Sequence, residues 1–358
     1  MKRPTSGTSS AKTKRPRIQD VAIQAEVSLG TVSAVLNGNG RVSEATRQKV
    51  RDAIANIGYS PDHYASNLAR RQTKLIGVIV SNLQNPFFAE TAQAMEEEAA
   101  RFGYQISLMA TNFSRDKHRA AVKQLLGARI AGLAVLTSEH DKTSRDLVLA
   151  HGVPAVFLDS GKPAGKVSVL RVDSFGGMRA AVEHLIHLGH RHLLFVRNSQ
   201  AEDGKSLLSH RLRDRGFTAA VQKFAGKNLE TQTIDIPGHG ADAGEEAIAS
   251  SGAVKFTAVI ATTDLVAMGV YRALQARVVS IPRDVSVVGF DNTYFSRFMN
   301  PPLTSVDVSR QQISKIVMSA LLDGKEGRLF NLKTELVKRD STRKPMAGRS
   351  KPSSRVLD

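Results

Sequence analysis

The chain has 358 residues, 41% of them hydrophobic, enough for two or three domains and a large buried core. It carries no cysteine, which excludes disulfides, thiolate catalysis and cysteine-based zinc sites and fits a reducing compartment. The formal charge is +17, no run reaches the length of uncharged apolar residues that a transmembrane helix needs, and the basic start MKRPTSGTSSAKTKRPR leads into no apolar stretch of secretory type.

The charge is unevenly spread. Residues 1–74 hold 13 Lys/Arg against 5 Asp/Glu, residues 338–358 hold 7 against 2, and the stretch between them is nearly balanced. A basic N-terminal module points to a polyanionic partner, with nucleic acid the first candidate. Residues 1–17 are too polar to pack and read as a disordered basic tail. From Ile18 the pattern turns helical: Ile18, Val21, Ala22 and Ala25 recur at helix spacing, break at Glu26-Val27-Ser28, and resume with Val32, Val35 and Leu36. Ser43, with Thr46 and Gln48 behind it, starts a third helix whose apolar positions are Val50, Ile54 and Ile57, and Gly58 to Pro61 stops it. Asp62 then caps a short fourth helix, HYASNLARR.

After Lys74 the period changes. LIGVIVS, QISLMAT, AGLAVLTS, PAVFLDSG, HLLFVRN, FTAVIATTD and VSVVGFDN are compact apolar runs that alternate with helical stretches such as AETAQAMEEEAARFGY, MRAAVEHLIHLGH and FTAAVQKFAG. Such alternation gives parallel sheets with helices on both faces, and so many units exceed one sheet. The expected fold class is therefore a small all-α N-terminal domain followed by an α/β two-lobed domain of two doubly wound parallel sheets. Ligands in such folds sit beyond the carboxyl ends of the strands.

DVAIQAEVSLGTVSAVLNG, followed by VSEATRQKV, IGYSPDHYASNLARR, LIGVIV, NPFF, EHLIHLGHRH, TTDLVAMGV, IPRDVSVVGFDN, PPLTSVDV and LVKRDST, resembles the LacI/GalR transcriptional regulators over about residues 18–342. The resemblance implies a helix-turn-helix domain at 18–60, a hinge helix and linker at 61–74, and a periplasmic-binding-protein-like effector and dimerisation domain at 75–342. Residues 343–358 form a second basic tail. Helix 18–25 would lie across the DNA backbone and helix 28–37 would enter the major groove. Ser28 caps the second helix, and Thr31, Ser33 and Asn37 offer short polar groups to phosphates. The family's base-reading positions fall on Leu29, Gly30 and Ala34. The third of these is usually Arg, so Ala34 departs from the pattern. Leu29 and Ala34 suit thymine methyls and cannot form the bidentate pairs that read guanine or adenine. The hinge helix, with His63, Tyr64, Ser66, Asn67, Leu68 and Arg70 at the DNA, would use Leu68 as a wedge between base pairs. Two such helices meeting at one centre imply a homodimer on a near-palindromic duplex.

The same resemblance places an effector site on Asn85, Phe87, Phe88, Asp159, Arg213, Thr263 and Asp291. Paired carboxylates facing a guanidinium suit a polyhydroxylated ligand, a sugar or sugar derivative, because each carboxylate accepts from adjacent hydroxyls. Phe87 and Phe88 are read either as faces for a sugar ring or as two core side chains after a strand. Thr263 and Val308 stand where Asn and Gln are common, which bears on the ligand's identity, and Asp264 is expected to cap a helix starting at Leu265. Asp203-Gly204-Lys205-Ser206 lacks the first glycine of a phosphate loop, and His187, His190 and His192 lack a completing carboxylate pattern, so no metal or other cofactor is expected. The reading is a cytoplasmic, effector-controlled DNA-binding regulator, most simply a repressor. A sugar-binding protein without a DNA role is the alternative, and an enzyme is disfavoured because no catalytic set is found.

Overall fold

The structure is a computed structural model, and it describes residues 16–36, 40–59, 73–137, 142–198 and 207–346. The chain divides into two compact units, residues 1–72 and 73–358. Among its described residues the first contains three helices: α1 (Ile18–Gln24), α2 (Leu29–Leu36) and α3 (Glu44–Ile57). Val21, Ala22, Ala25, Val32, Val50 and Ala53 form its buried core, the residues that the helical spacing selects. Ser28 Oγ accepts from Thr31 N at 3.1 Å to open α2, and Ser43 Oγ accepts from Thr46 N at 3.2 Å to open α3. Gly58, at φ +64°, closes α3 in the left-handed conformation that glycine adopts without steric cost. The predicted hinge helix, Asp62 included, lies outside the described residues.

Among its described residues the second unit contains two six-stranded sheets. The first has the order β11-β5-β4-β3-β1-β2, built from β1 (Leu75–Val80), β2 (Gln105–Ala110), β3 (Gly132–Leu136), β4 (Ala155–Leu158), β5 (Val167–Val172) and β11 (Leu329–Leu332). The second has the order β12-β10-β9-β8-β6-β7, built from β6 (His192–Asn198), β7 (Glu230–Ile236), β8 (Ala258–Ala261), β9 (Ser286–Asp291), β10 (Thr304–Asp307) and β12 (Glu335–Val337). The two lobes thus repeat one doubly wound topology, each with a switch point beside its first strand. The expectation of wholly parallel sheets needs one correction: β12 pairs antiparallel with β10. The chain arrives there from the other lobe and runs back along the sheet edge.

Helices α4 (Pro86–Arg101), α5 (Arg115–Gly127), α6 (Lys142–His151) and α11 (Arg310–Asp323) belong to the first lobe. Helices α7 (Ser174–Leu188), α8 (Leu208–Lys223), α9 (Ala241–Ser250) and α10 (Asp264–Ala276) belong to the second. The chain passes between lobes three times, after β5, after β10 and after β11. Central strands such as β1, β3, β4, β8 and β9 are buried along almost their whole length, as sheets covered on both faces require. A C-terminal strap follows β12. Ser341 Oγ accepts from Thr304 N and donates to Val287 O, and Arg343 N donates to Ser286 Oγ. The strap thus extends past residue 342. Among the described residues no helix is long and apolar enough to cross a membrane.

Candidate functional site

In the first unit, α2 carries Ser28, Leu29 and Gly30 exposed and Thr31, Ser33 and Ala34 half-buried. Leu29 is 46% exposed, on the same side of the unit as the 77% exposed Ile23 of α1. A Cβ built on Gly30 meets nothing closer than Ser28 Oγ at 3.6 Å. Packing within the unit does not demand glycine there, although glycine costs the helix about 1 kcal/mol. The Cβ of Ala34 lies 3.5 Å from where a Cβ on Gly40 would stand. Asn37, His63, Tyr64, Ser66, Asn67, Leu68 and Arg70 lie outside the described residues.

The turn between α1 and α2 holds Glu26 at φ +54°, a conformation that costs a residue with a Cβ roughly 1 kcal/mol or more. Glu26→Gly is expected to stabilise this unit by about 1 kcal/mol. Slower amide exchange in α1 and α3 would register it; unchanged or faster exchange would show that the glutamate is not strained.

In the second unit, the sequence-selected effector residues gather at the carboxyl ends of strands from both lobes. Asn85 follows β1 and caps α4, its Oδ1 accepting from Phe87 N at 3.0 Å. Phe87 is buried in the large apolar cluster that also holds Val78 and Met95, and Phe88 is half-buried at 5.3 Å, edge to face. Asp159 follows β4 at φ +51°, and its Oδ1 accepts from Val172 N at 3.0 Å. Arg213 lies on α8 with Nη1 donating to Thr262 O at 2.7 Å, Nη2 3.5 Å from Asp291 Oδ1, and its guanidinium 4.0 Å over the Phe290 ring. Asp291 ends β9 at φ +107°. Burial pushes Asp159 up to about 6 and Asp291 up to about 7, against the opposing pull of Arg213.

Two expectations change here. Asp264 does not cap α10: Thr263 does, its hydroxyl accepting from Val266 N at 3.2 Å. Thr263 therefore spends its side-chain oxygen on the helix. Asp264 is the first residue of α10 and points into the protein, accepting from Ser305 Oγ at 2.5 Å and from Thr293 N at 2.7 Å. A Thr-Asp pair offers two capping groups in sequence, and the demand of the 293–305 region for a buried acceptor decides between them.

Sequence reasoning missed two groups. Phe113, after β2, stacks on His239, after β7, at 4.1 Å and 16°; His239 lies 5.7 Å from His210, one turn before Arg213 on α8. The spacing of His210 and Arg213 could have signalled this had α8 been started at Leu208 rather than near Phe217. Behind Asp291, Arg310 donates to the carbonyls of Asp291, Asn292 and Val308 and pairs with Glu90 at 3.3 Å. Glu90 also accepts from Tyr294 N at 2.7 Å, tying α4 of one lobe to the other. By contrast, the three histidines near residue 190 disperse: His190 lies between Thr257 and Arg343 O, His192 meets Glu230, and His187 packs on Phe224. No metal-holding cluster occurs among the described residues.

Residues 17–62 match the family model of bacterial regulatory proteins, lacI family, and residues 182–342 match that of the periplasmic binding protein-like domain. The HTH-type transcriptional repressor PurR of Mannheimia succiniciproducens is 32% identical over 309 residues, covering 86% of this chain and 91% of that one. The chain belongs to the LacI family. Catabolite control protein A of Priestia megaterium is 31% identical over 306 residues, covering 85% of this chain and 91% of that protein. Among solved structures, the lac repressor dimer bound to operator and the anti-inducer ONPF matches with a TM-score of 0.73 and 28% identity, covering 92% of this chain and all of that one. The transcriptional regulator CelR in complex with cellobiose matches with a TM-score of 0.63 and 28% identity, covering 91% and 100%. As a LacI-family member the protein is a DNA-binding transcriptional regulator with an effector-binding domain of periplasmic-binding-protein type, and these relatives are regulators rather than enzymes.

Proposed function

We propose that the protein is a cytoplasmic repressor that binds a near-palindromic duplex as a homodimer and is switched by a sugar or sugar derivative held between its two lobes. The observation that carries the ligand reading is Arg213, buried among Asp159 of one lobe and Asp291 of the other, at strand ends where doubly wound folds bind ligands. Ser28, Leu29, Gly30, Thr31, Ser33 and Ala34 form the DNA-facing helix, and the exposure of Leu29 and Gly30 supports contact by methyl groups and shape. The dimer bound to operator and the cellobiose complex among the similar structures support the assembly and the ligand class. Ligand binding would act as a population shift, limited by its differential affinity for the lobe arrangements. Because the Glu90–Arg310 pair grips the backbone behind Asp291, closure on a ligand would reach α4 directly.

The test is a gel-shift selection of the purified protein against random duplexes at low salt, repeated with a panel of free sugars. A selected inverted repeat whose retention changes with one sugar is expected. No duplex binding in any ligand state would remove the regulator mechanism proposed here.

A further inference from the structure

We propose that His210 is a hydrogen-bonding residue of the cleft, acting with Arg213 from one face of α8, and that the ligand they receive is an uncharged polyhydroxylated ring rather than its phosphate ester. This rests on the cleft being the ligand site. His210 and Arg213 stand three residues apart, hence side by side on the helix, and are 7% and 9% exposed. Among the described residues, His210 Nδ1 and Arg213 Nε are buried without a hydrogen-bond partner. Native proteins rarely leave buried polar atoms so. Two of them on one helix face, at the carboxyl edge of a parallel sheet, mark where a ligand's oxygens complete the bonding.

The charges around them select the ligand. Burial lowers His210 to about 3, with Arg213 and His239 acting in the same direction, and burial also lowers His239. Both imidazoles are neutral at working pH and each offers one donor and one acceptor. Arg213 already serves the Thr262 carbonyl, Asp291 and the Phe290 ring. At mildly alkaline pH, where Asp159 and Asp291 are both ionised, a phosphate dianion entering here would meet two carboxylates with neutral histidines beside it, a costly arrangement away from bulk water. Hydroxyl groups carry no such cost: they donate to the two carboxylates and accept from Arg213 and His210. The stacked Phe113 and His239 add an apolar wall, one ring from each lobe, for the carbon face of a sugar ring.

The test is titration calorimetry of the full chain with D-glucose, D-galactose, D-ribose and cellobiose, and with the terminal phosphate monoesters of the three monosaccharides. It is done for the unaltered protein, His210→Phe and His210→Gln, with thermal unfolding confirming that each is folded. At least one free sugar is expected to bind, any matching ester at least about tenfold more weakly. His210→Phe should weaken binding by about tenfold, and His210→Gln, which keeps a donor and an acceptor, should restore most of it. An ester binding as tightly as its parent sugar overturns the ligand class while leaving the cleft as the ligand site. Unchanged affinity in His210→Phe overturns the role of His210. Folded protein that binds none of the probes overturns the sugar reading itself, and this inference with it.

Discussion

Asp291→Asn is expected to stabilise the ligand-free protein at neutral pH by roughly 2–4 kcal/mol while removing its response to ligand. Burial holds the Asp291 carboxyl near 7, whereas an unfolded chain releases that proton near 4. Between those values the folded protein binds a proton that the unfolded protein has lost, so stability falls as pH rises through this window and levels off above it. Asparagine has no such transition. The two proteins should be alike near pH 4 and furthest apart above about pH 7. Urea unfolding at acidic and at mildly alkaline pH reads this directly. A variant less stable than the parent at alkaline pH would mean that the pairing with Arg213 outweighs burial. Asp159, held near 6 by burial, should show the same sign with a smaller span. That outcome would mean that the carboxylates weaken the empty protein, as expected of groups kept for a ligand.

Gly269→Ala is expected to destabilise the second unit by about 3 kcal/mol. Helices α9 and α10 cross so closely that a Cβ on Gly269 would overlap the carbonyl oxygen of Ala241, and one on Gly244 would overlap that of Val266. Neither obstacle is the end of a flexible side chain; both are helix backbone. Relief requires the helices to separate, and α10 begins at Thr263–Asp264, next to the Thr262 carbonyl that Arg213 holds. Ligand response should therefore weaken together with stability. Gly127→Ala, at a helix position with open space around it, is the control and should be neutral or slightly stabilising. A Gly269→Ala protein with unchanged thermal unfolding would show that the crossing is looser than its geometry.

Much of the architecture was legible because period and burial coincide. LIGVIV and VSVVGFDN are apolar on both sides, and only strands covered on two faces need that. β7, with the sequence ETQTIDI, escaped for the opposite reason: it is an edge strand, largely exposed, and its polar residues read as loop. β11 and β12 are short: β11 is defined by β5, about 160 residues away, and β12 by the β10 edge, reached only after the chain has passed through the other lobe, and no local pattern reports either. The site divides similarly. Asp159, Arg213 and Asp291 carry a resemblance and stand at strand or helix positions that local patterning fixes. His210, His239 and Phe113 come together only through the packing of two loops and a helix start. The choice between Thr263 and Asp264 as cap depended on a buried acceptor being needed elsewhere.

The three passages of the chain between lobes set an order of construction. Helices α1–α3 come from one contiguous stretch and can be complete when residue 58 has left the ribosome. The first lobe cannot: α11 covers its sheet and β11 closes its edge, and both are made after nearly all of the second lobe. A polypeptide broken off before Arg310 would keep its DNA-facing helices and lack a finished ligand cleft. Synthesis cut short therefore does not simply remove this regulator; it leaves behind the part that faces DNA without the part that listens.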